Sequence, residues 1–213
     1  LTHLHAGSDI DSFSLLHLYS STNELYPLIR VKKADHKKVE LAVATETFCT
    51  PVPEPYDDRY REFLKEVKTA LVMDAWIKEF SENAISENYG VTPGELQSKR
   101  SKMEWLAYSA VELSKAAEKR DLLKQLRKLH LRVQHGVKED ILPLLRLRGI
   151  GRVRARKLHS KGIQDMGDIK KTSFEELKSI LGPKTAGSVH KQVGKEIDIQ
   201  DIQPSTGTLF DYE

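Results

Sequence analysis

The sequence predicts an all-α protein, and three observations support that prediction. Apolar residues recur at helical spacing through most of the chain, and no segment alternates apolar and polar residues as a half-buried strand does. Helix start and stop signals divide the chain, such as the capping box at Thr92 and Glu95 and the stop at Gly136. Hydrophobic residues make up 39% and charged residues 31% of the 213 positions, a composition typical of packed, water-exposed helices.

Six helical segments are predicted in the first 140 residues, which we interpret as one helical bundle. They cover about residues 13–19, 34–47, 57–80, 81–89, 92–119 and 121–134. Pro51, Pro53 and Pro55 exclude helix interior between the second and third segments, because proline removes a backbone donor. The third segment is apolar on most sides from residue 70 to 80, so this helix should lie centrally in the bundle.

Charge is distributed unevenly along the chain, whose net charge is +3. The balance is −1 over residues 1–140, +9 over residues 141–195 and −5 over residues 196–213. We therefore divide the chain into a helical domain (1–140), a small basic domain (141–195) and an acidic tail (196–213). A compact basic module is typical of contact with nucleic acid, although on charge alone a solvated charged face is an equal alternative.

The strongest local pattern is a glycine turn early in the basic domain. One helix is predicted to run into Gly149-Ile150-Gly151 and a second to leave it, with Ile150 buried below the turn. Backbone N–H groups at the start of the second helix would then be available to a phosphate. The turn is surrounded by basic residues, namely Arg148, Arg152, Arg154, Arg156 and Lys157. This is the pattern of a helix-hairpin-helix, which binds the DNA backbone; a second, degenerate hairpin is predicted around Gly182.

The helix that starts at Thr92 has an apolar stripe and an aromatic residue on the other side. On a helical wheel Trp105 lies opposite the stripe, among serines. The stripe consists of Leu96, Met103, Leu106, Ala107, Ala110, Leu113 and Ala117. Periodicity alone favours the interpretation that another helix covers Trp105. The alternative is a stacking platform for an unpaired base, with phosphates bound by Lys99, Arg100 and Lys102.

The sequence contains no recognisable catalytic motif. It has neither a phosphate-binding Gly-x-x-x-x-Gly-Lys-Ser/Thr loop nor a His-Glu-x-x-His pair, so we expect no cofactor, metal site or catalytic residue in this chain. The single cysteine, Cys49, excludes an internal disulfide. The N-terminus does not have the pattern of a signal peptide, and no apolar run approaches the ~18 residues of a membrane span. A cytoplasmic protein without membrane contact is expected.

Three motifs, taken in order, point to a known family. They are Ser14-Leu15-Leu16-His17-Leu18, Glu104-Trp105-Leu106-Ala107-Tyr108-Ser109-Ala110 and Pro143-Leu144-Leu145-Arg146-Leu147-Arg148-Gly149-Ile150-Gly151-Arg152-Val153-Arg154-Ala155-Arg156. In this order they resemble the C-terminal third of an archaeal superfamily 2 (ski-two-like) DNA-repair helicase. That family acts at stalled replication forks and is related to the helicase part of DNA polymerase theta. The resemblance covers nearly the whole chain.

The resemblance implies a fragment of a larger enzyme. It would consist of the helical ratchet domain and the helix-hairpin-helix domain, without the motor domains that use ATP and Mg to move 3′–5′ along DNA. The absence of a starting Met fits a fragment. The family's ratchet helix stacks a Trp on the translocating strand, a role that falls on Trp105. The family's Arg two turns earlier is Ser98 here, so Lys99, Arg100 or Lys102 is expected to replace it.

The family's C-terminal domain holds the emerging 3′ tail and slows unwinding through an Arg-x-Arg element, which falls on Arg154 and Arg156. Two residues apart on a helix, these side chains point about 200° from one another and cannot both face one phosphate. We expect one beside the hairpin and the other at the neighbouring domain or a second strand.

The expected partners are single-stranded and forked DNA, bound by a monomer. The tail could also bind a sliding clamp, since Leu209 and Tyr212 resemble a clamp-binding peptide, or a single-strand-binding protein; a disordered acidic end is the favoured alternative. Two other interpretations of the whole chain stay open. One is a free-standing DNA-structure binding protein, and the other is a protein-interaction adaptor whose hairpin is only structural.

Overall fold

The computed structural model describes residues 10–194, which contain ten α-helices and no β-strand. The all-α prediction is therefore confirmed over this range. The acidic tail, with Leu209 and Tyr212, lies outside the described residues. Contacts divide the chain into two compact units, Leu1–Glu139 and Asp140–Glu213, named here the helical unit and the hairpin unit. Between residues 10 and 194, no helix is both long enough and apolar enough to cross a membrane.

The helical unit contains six α-helices between residues 10 and 139, and they follow the predicted order. They are α1 (Ser12–Ser20), α2 (His36–Thr45), α3 (Tyr60–Ile77), α4 (Glu82–Tyr89), α5 (Pro93–Ala116) and α6 (Arg120–His135). Their ends follow the local chemistry of the sequence. Thr92 and Glu95 form the capping box of α5, the Ser81 hydroxyl accepts from the Ala84 N–H at the start of α4, and Gly90 and Gly136 end α4 and α6 in the left-handed conformation.

Helix α3 lies at the centre of the helical unit, as its nearly continuous apolar surface predicts. It packs against α1, α2, α4, α5 and α6. Val67, Ala70, Val72, Met73 and Ile77 are all fully buried on it. The prediction that α3 begins at Asp57 was early by one turn, because Asp57 accepts the Arg59 N–H at 2.8 Å and closes a turn ahead of the helix.

A buried ion pair fixes the segment before α2 onto α3. Lys68 of α3 is fully buried, and its ammonium lies 2.6 Å from the Asp35 carboxylate and donates to the Arg30 carbonyl at 2.7 Å. Asp35 also accepts the Lys32 N–H at 2.7 Å. Each partner thus has further hydrogen bonds, which a buried ion pair needs to offset its desolvation.

Trp76 connects α3 to the end of α6. It is 5% exposed, and its indole N–H donates to the Val133 carbonyl at 2.8 Å. One face of the ring carries the Arg100 guanidinium, 3.7 Å from the ring centroid. Gly136 lies so close that a Cβ built on it would be 2.4 Å from the indole carbons. Trp76 therefore fixes where α6 ends and how α5 and α6 lie against α3.

From residue 140 to residue 194, the hairpin unit contains four short helices: α7 (Arg152–Ser160), α8 (Met166–Lys171), α9 (Phe174–Leu181) and α10 (Pro183–Val193). Helix α9 packs against α7 and α10, and α10 also packs against α8. The prediction that a helix leads into the Gly149 turn is wrong. A three-residue 3-10 turn, Leu144–Arg146, stands there, and it ends because Leu147 takes an extended backbone conformation with ψ 127°.

Candidate nucleic-acid interface

Helix α5 is buried along one side and open along the other. The buried line recurs at intervals of three and four residues, through Leu96, Lys99, Met103, Ala107, Val111 and Ser114. This line is rotated from the predicted apolar stripe, and Leu113, which the stripe included, is 56% exposed. The rotation arises because Val111, which the stripe left out, is buried while Leu113 is exposed; Lys99 and Ser114 take buried positions within the stripe.

Trp105 lies on the open side of α5 and is 57% exposed. The interpretation that another helix covers it is therefore wrong. Ser98 and Ser101 are exposed around it, and the Ser109 hydroxyl donates to the Trp105 carbonyl at 2.9 Å. Small side chains thus flank the indole and leave its surface accessible. A large exposed aromatic of this kind is typical of a binding surface.

Lys99 does not contribute to this surface. It is 4% exposed, and its ammonium donates to the Leu25 carbonyl at 2.8 Å and to the Pro27 carbonyl. Burial, together with the nearby Lys102, lowers the pKa of Lys99. The expectation that Lys99 binds phosphate is therefore wrong, because its charge already compensates backbone carbonyls inside the helical unit.

The other two cations expected to bind phosphates, Arg100 and Lys102, also have partners within the helical unit. Lys102 donates to the Tyr26 carbonyl, beside the two carbonyls that Lys99 holds. Arg100 stacks on Trp76 and pairs with Glu82 at 2.7 Å. All three basic residues expected to bind phosphates thus connect α5 to its neighbours, and they hold it with Trp105 facing outward.

We expect Lys99→Met to reduce stability without changing DNA binding. The substitution keeps the apolar stem but leaves the buried Leu25 carbonyl and the part-buried Pro27 carbonyl without this donor, which should cost about 1–3 kcal/mol. Urea unfolding measures the loss, with the exposed Lys37→Met on α2 as the control, expected within ~0.5 kcal/mol of wild type. A weaker dependence of DNA affinity on salt in Lys99→Met than in the control would contradict the structural role.

One turn beyond Trp105, Tyr108 joins α5 to α6. It is 46% exposed, and its ring centroid lies 5.8 Å from that of His130, at an interplanar angle of 57°. Burial, followed by the nearby His135, lowers the pKa of His130, so its imidazole is neutral at neutral pH. Helical periodicity does not reveal this aromatic pair, because His130 lies on another helix.

The Gly149 turn has the conformation expected of a hairpin. Gly149 has φ +83°, which favours glycine, and the buried Ile150 donates its N–H to the Leu147 carbonyl at 3.1 Å. Gly151, with φ −95°, precedes α7, and the first backbone bond of that helix runs from the Ala155 N–H to the Gly151 carbonyl. The preceding N–H groups at the start of α7 point along the helix axis, away from the helix.

Within the described residues, neither the backbone conformation of Gly151 nor the packing around it requires a glycine. Its φ is ordinary for any residue, and a Cβ built on it would meet no atom within 4 Å. What a side chain would obstruct is the open surface at the start of α7. Glycine at such a place permits a close approach to the backbone.

The basic residues around the turn have different surroundings. Gln192 holds the backbone of Arg148 through two hydrogen bonds, at 2.8 and 3.2 Å, and leaves its side chain exposed. Arg154 is exposed and donates to the Gly149 carbonyl at 2.9 Å. Lys157 is exposed as well, whereas Arg152 is half-buried.

Arg156 makes a bidentate ion pair with Asp140, at 2.7 and 2.8 Å. This guanidinium is the main cause that lowers the pKa of Asp140, and His159 lies 3.6 Å from the same carboxylate. Arg154 and Arg156 therefore contact different groups, as their separation around the helix predicts.

Two family models match the chain. The model described as archaeal helicase, domain 4, matches residues 13–136, which is more than half of the sequence. The chain belongs to this archaeal helicase family. A second model, described as the thumb domain of DNA polymerase iota, matches residues 146–193, the segment that contains the Gly149 turn and α7–α10.

Curated relatives match almost the whole chain. The ATP-dependent DNA helicase Hel308 of Pyrococcus horikoshii is 36% identical over 212 residues, or 96% of this chain and 28% of the relative. The Hel308 helicase of Thermococcus kodakarensis is 34% identical over 207 residues, which are 94% of this chain and 18% of the relative. The Hel308 helicase of Pyrococcus abyssi is 33% identical over 202 residues, which are 92% of this chain and 27% of the relative. The chain thus spans 18% to 28% of the length of these relatives.

Proposed function

We propose that this chain is the DNA-gripping part of an ATP-dependent 3′–5′ DNA helicase. Residues 1–140 act as the ratchet domain, on which a base of the translocating strand stacks against Trp105. Residues 141–195 act as a helix-hairpin-helix domain that binds the DNA backbone. In a complete protein of the relatives' length, ATP and Mg would be used by the part that lies outside these 213 residues. The observation that carries the proposal is the indole of Trp105, exposed among serines on the open side of a helix whose other side is buried.

At the next level of detail, the proposal places the protein at stalled or branched replication forks, as a monomer in the cytoplasm of an archaeal cell. Arg154 and Arg156 would hold the emerging strand and slow unwinding. The tail, through Leu209 and Tyr212, would bind a sliding clamp or a single-strand-binding protein. The family match and the names of the relatives support the general assignment. The action at forks, the slowing of unwinding by Arg154 and Arg156, and the partner of the tail are the parts of the proposal to test.

Fluorescence anisotropy on the 213-residue chain tests the proposal. Labelled single-stranded, forked and blunt duplex DNA are titrated across a salt series, and the first two are expected to bind more tightly than the duplex. The logarithm of the affinity should fall linearly with the logarithm of the salt concentration, since phosphate contacts release counterions. An affinity that is absent, or that does not change with salt, would favour the protein-interaction adaptor instead.

Gly151→Ala should weaken DNA binding while leaving the hairpin unit folded. The added methyl group meets no protein atom within 4 Å, but it lies where a phosphate would approach the N–H groups of α7. Losing one hydrogen bond to a charged group, about 1.5–3 kcal/mol, corresponds to a roughly tenfold or greater loss of affinity.

The matched control for Gly151→Ala is Gly187→Ala on α10, where a Cβ also has open space. That variant should bind DNA like the wild type and be slightly more stable, because alanine favours helix interior. Equal DNA affinity in the two variants would contradict backbone binding at the Gly149 turn.

A further inference from the structure

A DNA strand stacked on Trp105 needs cations for its phosphates, and α5 does not supply them. Lys99 and Lys102 hold the carbonyls of residues 25–27, and Arg100 lies between Trp76 and Glu82. The neighbouring helix α6 does present cations. Lys124 and Arg127 are exposed there, and neither makes an ion pair or a side-chain hydrogen bond with any residue from 10 to 194.

Tyr108 and His130 connect the Trp105 side of α5 to this part of α6. Tyr108 lies three residues after Trp105, which corresponds to a rise of about 4.5 Å along the helix axis. His130, whose ring contacts Tyr108, lies three residues after Arg127, and side chains at this spacing are neighbours on a helix surface. An exposed indole, a half-exposed phenol ring and an exposed guanidinium therefore follow one another across the two helices.

The two acidic residues one turn on either side of Tyr108, Glu104 and Glu112, have partners of their own. Glu112 of α5 pairs with Lys115 at 2.6 Å. Burial raises the pKa of Glu104, and the Gln134 side chain hydrogen-bonds to it. His130 is neutral at neutral pH because burial lowers its pKa. Arg127, three residues before His130, and Lys124, one turn earlier, are thus exposed cations of α6 without an ion pair between residues 10 and 194, whereas Lys128 pairs with Glu139 and Arg132 donates to Ser12 and Val137.

We propose that Tyr108 and Arg127 form a second contact for single-stranded DNA, in which the base next to the one on Trp105 stacks on Tyr108 and Arg127 binds a phosphate. This inference rests on the proposed function of Trp105. It replaces the phosphate contacts expected from Lys99, Arg100 and Lys102 with a contact from α6. The strand would thus run from α5 across to α6, and every base can use such a site because every base has a π-face.

Arg127→Gln on the full chain tests the phosphate contact. Each phosphate contact on single-stranded DNA contributes about 0.7 to the slope of log affinity against log salt, so the slope should fall by about 0.7. At ~0.1 M salt the same relation gives a roughly fivefold loss of affinity for a labelled oligothymidine. The matched control is Arg61→Gln on α3, also exposed and without an ion pair between residues 10 and 194, expected to change affinity less than twofold.

Tyr108→Ala and Tyr108→Phe test the stacking contact. The alanine variant should lose several-fold in affinity, whereas the phenylalanine variant, which keeps the ring, should bind like the wild type. The inference is overturned if Arg127→Gln behaves like Arg61→Gln. Trp105→Ala, measured in parallel, separates the two hypotheses. If it lowers affinity while Arg127→Gln does not, the α6 contact fails and the Trp105 site stands; if neither lowers affinity, both fail.

Discussion

Gly136→Ala should destabilise the helical unit by about 2–5 kcal/mol, because two costs add at this position. Gly136 ends α6 at φ +63°, a left-handed conformation that costs an L-residue about 1–2 kcal/mol. The added Cβ would also lie 2.4 Å from the indole carbons of Trp76. Trp76 cannot easily move, because Val133 accepts its N–H and Arg100 covers one face, so the clash should cost a further ~1–3 kcal/mol.

Gly90→Ala is the matched control for this prediction. Gly90 ends α4 at φ +61°, nearly the same conformation, but the nearest atom to its Cβ would be the Lys32 ammonium, at the end of a flexible side chain. Gly90→Ala should therefore lose only the conformational part, about 1–2 kcal/mol. Urea unfolding of the two variants measures the difference. Equal losses would show that Trp76 moves aside and that the Trp76–Gly136 contact does not fix the end of α6.

The sequence predicted most helix boundaries because they depend on neighbouring residues. The Thr92–Glu95 capping box, the Ser81 cap and the terminating glycines all act over one turn, so the chain alone shows them. The helix expected before Gly149 is the exception. The residues before the turn have helical spacing, but only one 3-10 turn forms after Pro143.

The surface of α5 could not be predicted in the same way. A lysine in a helical pattern is normally placed in water, and the carbonyls that Lys99 holds come from residues 25 and 27, more than seventy positions earlier. His130, the partner of Tyr108, could not be predicted for the same reason, because it lies on α6, far from Tyr108 in sequence. Periodicity did place Trp105 opposite the buried side of α5, but whether another helix covers that side depends on how the whole unit packs.

Trp105→Ala should weaken binding to single-stranded DNA by about 1–3 kcal/mol, the range for one base stacked on an aromatic side chain, which corresponds to roughly 5- to 150-fold in affinity. Since the indole is 57% exposed, the substitution should change the free energy of unfolding by less than ~0.5 kcal/mol. Anisotropy with a labelled oligonucleotide measures the binding, and urea unfolding measures the stability. In a complete helicase, unwinding should suffer more than binding, because stacking couples the strand to movement of the ratchet.

The control for Trp105→Ala is Tyr56→Ala, which removes another exposed aromatic, 88% exposed, from the segment before α3. It should leave DNA affinity unchanged. Trp105 fluorescence offers an independent measurement, since a stacked base should quench it while the buried Trp76 gives a constant background. If Trp105→Ala unfolds the helical unit, or lowers affinity no more than Tyr56→Ala does, the stacking role is wrong. In the second case, the hairpin unit would remain as the sole DNA-binding part of the proposal, because Gly151 and its N–H groups do not depend on Trp105.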